Sequence, residues 1–196
     1  LRAIGARQQA GAAAPARGRP GVLTSRRGPP LGSSGLIRGA QTMWQGRLEH
    51  IYIAETGSAP MHALSEARLT AGVGIEGDRY ATGKGYYSKT PRSDRQVTLI
   101  EIETLEALQR DHAIELKPDE TRRNLTTRAV PLNHLVGKRF RVGTVLLYGA
   151  RLNVPCKYLE QVTGKPVYEP LVHRSGLNCE IVEGGVIRAG DPIVPA

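Results

Sequence analysis

After residue 43, the pattern of apolar and polar positions predicts a series of short β-strands. The clearest is Arg95–Ile100, where Val97 and Leu99 fall on one face because alternate residues of a strand share a face. Two β-prone runs precede it, Leu48–Ile53 and Ala63–Leu69, and a turn containing glycine and proline separates them. Such alternation is typical of strands that bury one face against a core.

Glycine residues divide the second half of the chain into more short strands. These are expected at Phe140–Val142, Val145–Tyr148 and Arg151–Val154, with turns at Gly143 and Gly149. A closing hairpin is expected near the end of the chain, from Leu177 to Arg188, with Gly184 and Gly185 at its turn.

Two segments show the helical period instead. Glu101–His112 carries an apolar stripe formed by Ile102, Leu105 and Leu108. A second helix is expected to begin at Pro155, because proline is favoured at the first helical position. Many short strands with few helices indicate a mostly β fold with some α-helix (α+β), arranged as a single-domain β-barrel.

Composition places the domain boundary near residue 43. Leu1–Thr42 is rich in Gly, Ala, Pro and Arg and predicts a disordered basic leader, which an expression tag, upstream translated sequence or an organelle transit segment would explain. Of the net charge of +9, seven arginines in this leader account for +7, so the remaining 154 residues carry +2. The nearly neutral body, and a leader without aromatic residues that stack on bases, argue against a nucleic-acid partner.

The two cysteines are expected to differ in environment. Cys156 would lie in the first turn of the second helix, where unpaired N–H groups and the adjacent Lys157 favour a thiolate. The alternative is that Cys156 is simply a small buried apolar residue. Cys179 falls on an apolar phase of its strand and is assigned to the core. Two cysteines are not a disulfide framework, and the absence of a signal peptide or apolar span predicts a reducing, cytoplasmic setting without a membrane partner.

A glycine-rich stretch, Gly72–Gly77, matches the dinucleotide fingerprint G-x-G-x-x-G. That fingerprint requires a helix directly after it, and Asp78–Gly83 is a poor helix start, so a dinucleotide site is rejected. The glycines are instead expected to permit positive φ in a loop, which Ala81–Asp94 extends over the surface.

Four arginines outside the leader lie where loops or helices meet strands. They are Arg79, Arg95, Arg122 and Arg123. Side chains at such junctions can converge, and guanidinium groups bind phosphate through two parallel hydrogen bonds. A phosphorylated ligand is one interpretation, and ordinary surface arginines are the other.

An ordered set of short motifs resembles the MOSC domain, the family named after the C-terminal domain of molybdenum cofactor sulfurase, in its small stand-alone bacterial form. The motifs are Gly77–Arg79, Arg95–Ile100, Arg122–Asn124, Leu135–Gly137 with Phe140 and Gly143, Pro155–Cys156, Gly184–Gly185 and Gly190–Asp191. The resemblance begins near Met43 and extends to the end of the chain. It implies a MOSC-type β-barrel that binds the molybdenum cofactor (molybdopterin) or carries sulfur for it.

The resemblance also implies roles for individual residues. Cys156 is expected to be the functional thiol and to ligate molybdenum in a reductase of N-hydroxylated compounds. Alternatively, it accepts persulfide sulfur from a cysteine desulfurase, whose pyridoxal phosphate would belong to that partner. Arg122, Arg123 and Asn124 are expected to hold the pterin and its phosphate. From their junction positions, Arg79 and Arg95 are expected to help bind the same cofactor. A reductase would also need an electron-transfer partner and a small-molecule substrate.

Overall fold

A computed structural model describes residues 44–90 and 92–196, so the predicted leader lies outside the described residues. The strands are β1 (Gly46–Ile53), β2 (His62–Leu64), β3 (Glu66–Thr70), β4 (Gly74–Ile75), β5 (Val97–Glu101), β6 (Leu125–Arg128), β7 (Arg139–Val142), β8 (Val145–Leu152), β9 (Leu177–Glu183), β10 (Gly185–Arg188) and β11 (Pro192–Pro195). The helices are α1 (Ile102–His112) and α2 (Lys157–Thr163), with 3₁₀ turns at Ser93–Arg95, Asp119–Thr121 and Leu132–Leu135.

Seven of these strands close into a barrel. Their order is β11-β7-β8-β9-β5-β6-β1, and pairing of β1 with β11 completes the circle. Neighbouring strands are antiparallel except β5 and β6, which are parallel and are connected through α1. The mostly β, single-domain barrel predicted from the sequence is confirmed.

Two apolar clusters hold the barrel and its helices together. The first fills the barrel and includes Phe140, Leu99 and Cys179, all fully buried. The second joins the two helices through Leu108 of α1 and Leu159 of α2. Burying one such side chain contributes about 1.5–3 kcal/mol, so the second cluster holds α2 against α1. No helix among the described residues is long and apolar enough to cross a bilayer.

One predicted continuous strand and one predicted hairpin are wrong because the chain changes sheets, although the predicted segments themselves are β-strands. The run Ala63–Leu69 divides at Ser65 into β2, which pairs with β1, and β3, which pairs with β10 and β4 in a separate three-stranded sheet. The expected closing hairpin is not formed either. β9 pairs with β5 and β8, whereas β10 pairs with β3, so Gly184 connects two sheets. Alternation of apolar and polar residues predicts that a segment is a strand, but it does not predict which strand pairs with it.

Gly149 is not in a turn as predicted but lies inside the continuous strand β8. A Cβ atom there would come within 2.3 Å of the Leu135 carbonyl oxygen, so glycine permits a close backbone approach. The turn predicted at Gly143 is present, with a φ of 53°. The glycines of the rejected dinucleotide fingerprint, Gly72, Gly74 and Gly77, all have positive φ, and no helix follows them directly.

Candidate functional site

A cavity of about 300 Å³ opens beside the start of α2. Its wall combines Cys156, several guanidinium groups and several tyrosines. The lining residues are Gly57, Arg79, Tyr80, Tyr86, Tyr87, Arg95, Thr98, Arg122, Arg123, Arg151, Asn153, Val154, Pro155, Cys156, Tyr158, Leu159 and Asn178. The chain therefore brings Cys156 and all four arginines singled out from the sequence to one place.

Cys156 is half-buried and precedes α2 as its N-cap residue. Its backbone is extended, with a φ of −138°, so the prediction that it lies in the first helical turn is wrong by one residue. Lys157, which was predicted to favour the thiolate, is exposed and pairs with Glu160 at 3.0 Å, so its predicted effect on Cys156 stays a prediction. Cys156 and the buried Arg123 both line the cavity, and charge on the thiol raises the pKa of that guanidinium.

Arg123 is a buried cation held by neutral acceptors. Its guanidinium donates to the Ser175 carbonyl at 3.0 Å, to the Thr121 carbonyl at 3.1 Å and to Asn153 Oδ1 at 2.8 Å. Burial lowers the pKa of Arg123 to about 10, and the nearby Cys156 thiol opposes that shift. The side chain remains charged at neutral pH and favours an anion in the cavity.

Arg122 adjoins it and occupies the left-handed region, with a φ of 63°. This conformation turns the side chain toward the loop before β2, where it donates to the Gly57 carbonyl at 2.6 Å and to the Ala59 carbonyl. Burial, and then the neighbouring charge of Arg79, lower the pKa of Arg122. The nearby Asp78 offsets part of this effect, and an anionic ligand would offset the buried charge of Arg122 further.

Of the three buried arginines Arg79, Arg122 and Arg123, Arg79 alone has a carboxylate partner among the described residues. It pairs with the buried Asp78 at 3.0 Å and donates to the Arg122 carbonyl at 2.9 Å. Asp78 also accepts from Asn124 Nδ2 at 3.2 Å. Asn124 was predicted to bind the cofactor, but it does not line the cavity, and its Oδ1 accepts from Thr98 at 3.0 Å. The structure thus places Asn124 behind the wall, where it supports Asp78.

The loop predicted to run over the surface, Ala81–Asp94, contributes Tyr86 and Tyr87 to the cavity lining. Tyr86 stacks on Tyr158 with a centroid separation of 4.7 Å. Arg95 lies over the Tyr87 ring at 5.2 Å and donates to the Tyr87 carbonyl at 3.0 Å. Burial, and then the adjacent Cys156 thiol, raise the pKa of Tyr87. The tyrosines therefore place an aromatic rim around the thiol.

The charges of the cavity do not balance within the described part of the chain. Arg79 pairs with Asp78, and Arg151 pairs with Asp94 at 2.5 Å. No carboxylate of the described residues lies within 4.0 Å of the guanidinium of Arg95, Arg122 or Arg123. An anionic ligand, and above all a phosphate, suits this excess of guanidinium groups.

Sequence reasoning missed two sets of cavity residues. Four of the seven tyrosines line the cavity, and three of these, Tyr80, Tyr86 and Tyr87, lie close together in the glycine-rich loop. That local enrichment was the available signal. Asn153 and Asn178 had no comparable signal, because they are 25 residues apart and meet only through pairing of β8 with β9.

Within residues 44–90 and 92–196, no group of three or more His, Cys, Asp or Glu side chains is arranged to hold a metal ion.

Residues 61–194 match a family model described as the MOSC domain. Among solved structures, YuaD from Bacillus subtilis is similar with a TM-score of 0.66 and 19% identity, over 78% of this chain and 96% of that chain. YiiM from Geobacillus stearothermophilus gives 0.60 and 13% identity, over 77% and 75% of the two chains. YiiM from Escherichia coli gives 0.55 and 19%, over 76% and 69%. At these identities the structural likeness concerns the fold alone. No curated protein matches the sequence significantly.

Proposed function

Because the chain belongs to the MOSC domain family, we propose that it binds the molybdenum cofactor in the cavity beside α2 and reduces N-hydroxylated compounds. In this proposal Cys156 is the molybdenum ligand. The observation that carries it is a half-buried thiol in the wall of a cavity that also contains three guanidinium groups without a carboxylate partner in the described chain.

The donor groups fit this cofactor chemically. A thiolate is a soft ligand suited to a soft metal centre, and guanidinium groups are suited to the cofactor's phosphate. A volume of about 300 Å³ is compatible with a small ligand partly open to solvent. The bound cofactor would supply the two-electron chemistry that reductive loss of an N-linked oxygen as water requires.

The chain's own residues have separable tasks in this proposal. Arg95, Arg122 and Arg123 bind the anionic part of the ligand. Asp78 positions Arg79 through their ion pair, and Asn124 positions Asp78. The aromatic rim formed by Tyr86, Tyr87 and Tyr158 limits water at the mouth, which strengthens the electrostatic contacts inside.

The test is to purify the full chain from a host that makes the cofactor and to measure molybdenum and pterin per protein. We expect near-stoichiometric molybdenum in the wild type and its loss in Cys156→Ser. Cys179→Ala is the matched control, since Cys179 lies in the barrel core and should not affect the metal. Molybdenum retained in Cys156→Ser, or absent from the wild type, would contradict the proposal.

One observation favours a second candidate, a sulfur carrier. Cys156 is half-buried whereas Cys179 is fully buried in another apolar cluster, so a persulfide on Cys156 has no accessible second thiol of this chain to resolve it. Such a persulfide would pass to an external acceptor, and a pyridoxal-phosphate cysteine desulfurase would be the sulfur donor. Sulfane sulfur on the purified protein without molybdenum would support this candidate over the reductase.

A further inference from the structure

A directed chain of hydrogen bonds runs from the buried cation Arg123 to the inner wall of the cavity. Arg123 donates to Asn153 Oδ1 at 2.8 Å, and Asn153 Nδ2 donates in turn to Asn178 Oδ1. A guanidinium has no acceptor atom, so it fixes the Asn153 amide with its oxygen toward Arg123. The nitrogen of Asn153 must then face Asn178, and that fixes the second amide as well.

The consequence is a donor with a defined direction. Because Asn178 Oδ1 faces Asn153, its Nδ2 group is the part of the amide left for other contacts. Asn178 lines the cavity and is 3% exposed. Among the described residues, no acceptor takes a hydrogen bond from this Nδ2 group. Nδ2 is not among the fully enclosed polar atoms that lack a partner in the described chain, so this donor opens toward the cavity, where a bound ligand with an acceptor atom can take its hydrogen bond.

We infer that Asn178 Nδ2 donates a hydrogen bond to the bound ligand and selects for an acceptor atom there, such as a ring nitrogen, a carbonyl oxygen or an oxoanion oxygen. This inference rests on the proposed function for the identity of the ligand but not for the direction of the donor. The charge of Arg123 polarises the two amides in series and strengthens the terminal N–H as a donor. A ligand presenting an N–H or O–H donor at that point is disfavoured.

A purely structural role is the competing explanation, in which Asn178 only supports Asn153 and thereby Arg123. Asn178→Asp separates the two roles. An aspartate at this position still accepts from Asn153 Nδ2, so the support of Arg123 is kept, but it offers the cavity no donor. Asn178→Ala removes both groups without adding charge.

The experiment measures equilibrium binding of two probes, pterin-6-carboxylate and inorganic phosphate, to the purified full chain and its variants. Val154→Asp is the charge control, because Val154 lines the same cavity at its exposed mouth and takes no part in the hydrogen-bond chain. We expect Asn178→Asp to keep the wild-type unfolding midpoint and to weaken binding about tenfold or more, with Asn178→Ala also about tenfold weaker. Val154→Asp should change binding much less.

The inference is overturned if Asn178→Asp binds both probes as tightly as the wild type, or if Val154→Asp loses as much affinity. Loss in both Asn178→Asp and Asn178→Ala for phosphate alone would place the acceptor on an oxoanion, and loss in both for the pterin probe alone would place it on the ring system. A wild-type protein that binds phosphate but not the pterin would refute the proposed cofactor and still test Asn178 through phosphate. Failure to bind either probe would refute both.

Discussion

The buried ion pair of Asp78 and Arg79 gives the sharpest stability prediction. Asp78 Oδ1 accepts from Arg79 at 3.0 Å, from the Ala54 amide at 3.2 Å and from Asn124 Nδ2 at 3.2 Å, while Oδ2 accepts from the Tyr80 amide at 3.1 Å. In Asp78→Asn, the new NH₂ group must face one of these donors. The substitution also leaves Arg79 buried without a counter-charge.

The magnitude follows from those contacts. Neutralising one partner of a buried ion pair costs about 3–5 kcal/mol, a large part of the ~5–15 kcal/mol that separates folded from unfolded states. For a chain of this size the midpoint of thermal unfolding should fall by roughly 10 °C. Because Asp78 positions Arg79, which lines the cavity, the proposed function also predicts weaker pterin binding in this variant.

Thermal and urea unfolding, followed by far-UV circular dichroism, measure the effect. Asp111→Asn is the matched control: Asp111 pairs with Arg110 at 2.6 Å on the exposed face of α1, and exposed pairs contribute little. We expect no measurable change in that control. A midpoint for Asp78→Asn within about 2 °C of the wild type would refute the argument that this pair is buried and structurally required.

Three further outcomes are expected. Gly149→Ala should destabilise by about 1–3 kcal/mol in urea unfolding, because its Cβ would lie 2.3 Å from the Leu135 oxygen. Gly137→Ala, with a φ of 77° but open space around it, should lose at most about 1–2 kcal/mol from backbone strain alone; a loss well below ~1 kcal/mol for Gly149→Ala would contradict the close-approach argument. Iodoacetamide should label Cys156 in the folded protein and Cys179 only after unfolding; rapid labelling of both would contradict the burial of Cys179. Burial raises the pKa of Cys179 well above 9.0, so its unfolded thiol ionises first and stability falls above about pH 9. Cys179→Ala should reduce the loss of stability between pH 7 and pH 10. An unchanged loss would refute the attribution of this pH dependence to Cys179.

The local pattern of apolar residues was sufficient to predict those helices and strands whose structure depends mainly on their own residues. The apolar stripe of Ile102, Leu105 and Leu108 predicted α1, and alternation at Val97 and Leu99 predicted β5. Both patterns depend only on the period at which side chains meet a core, and that period is a property of the backbone. The same reasoning placed Cys179 in the core.

For the cavity, the sequence named candidate side chains but not their partners. Cys156 and the four arginines lie in its wall, while the role predicted for each of them remains a prediction. Asn124 lies behind the wall because the carboxylate of Asp78 and the hydroxyl of Thr98 are available to it there. No spacing along the chain could reveal that choice, since it depends on residues 26 and 46 positions away.

By itself, then, the sequence determined a mostly β chain, the positions of its main helix and central strand, and a set of residues that resemble the MOSC domain. Tertiary structure alone decided that β10 leaves β9 for β3, that the loop after Ala81 places tyrosines at the cavity mouth, and that Asn153 orients Asn178. The physical reason is the distance along the chain over which each effect acts. Periodicity and turn chemistry act over a few residues, whereas strand pairing, charge balance and hydrogen-bond direction depend on groups that only the closed barrel brings together.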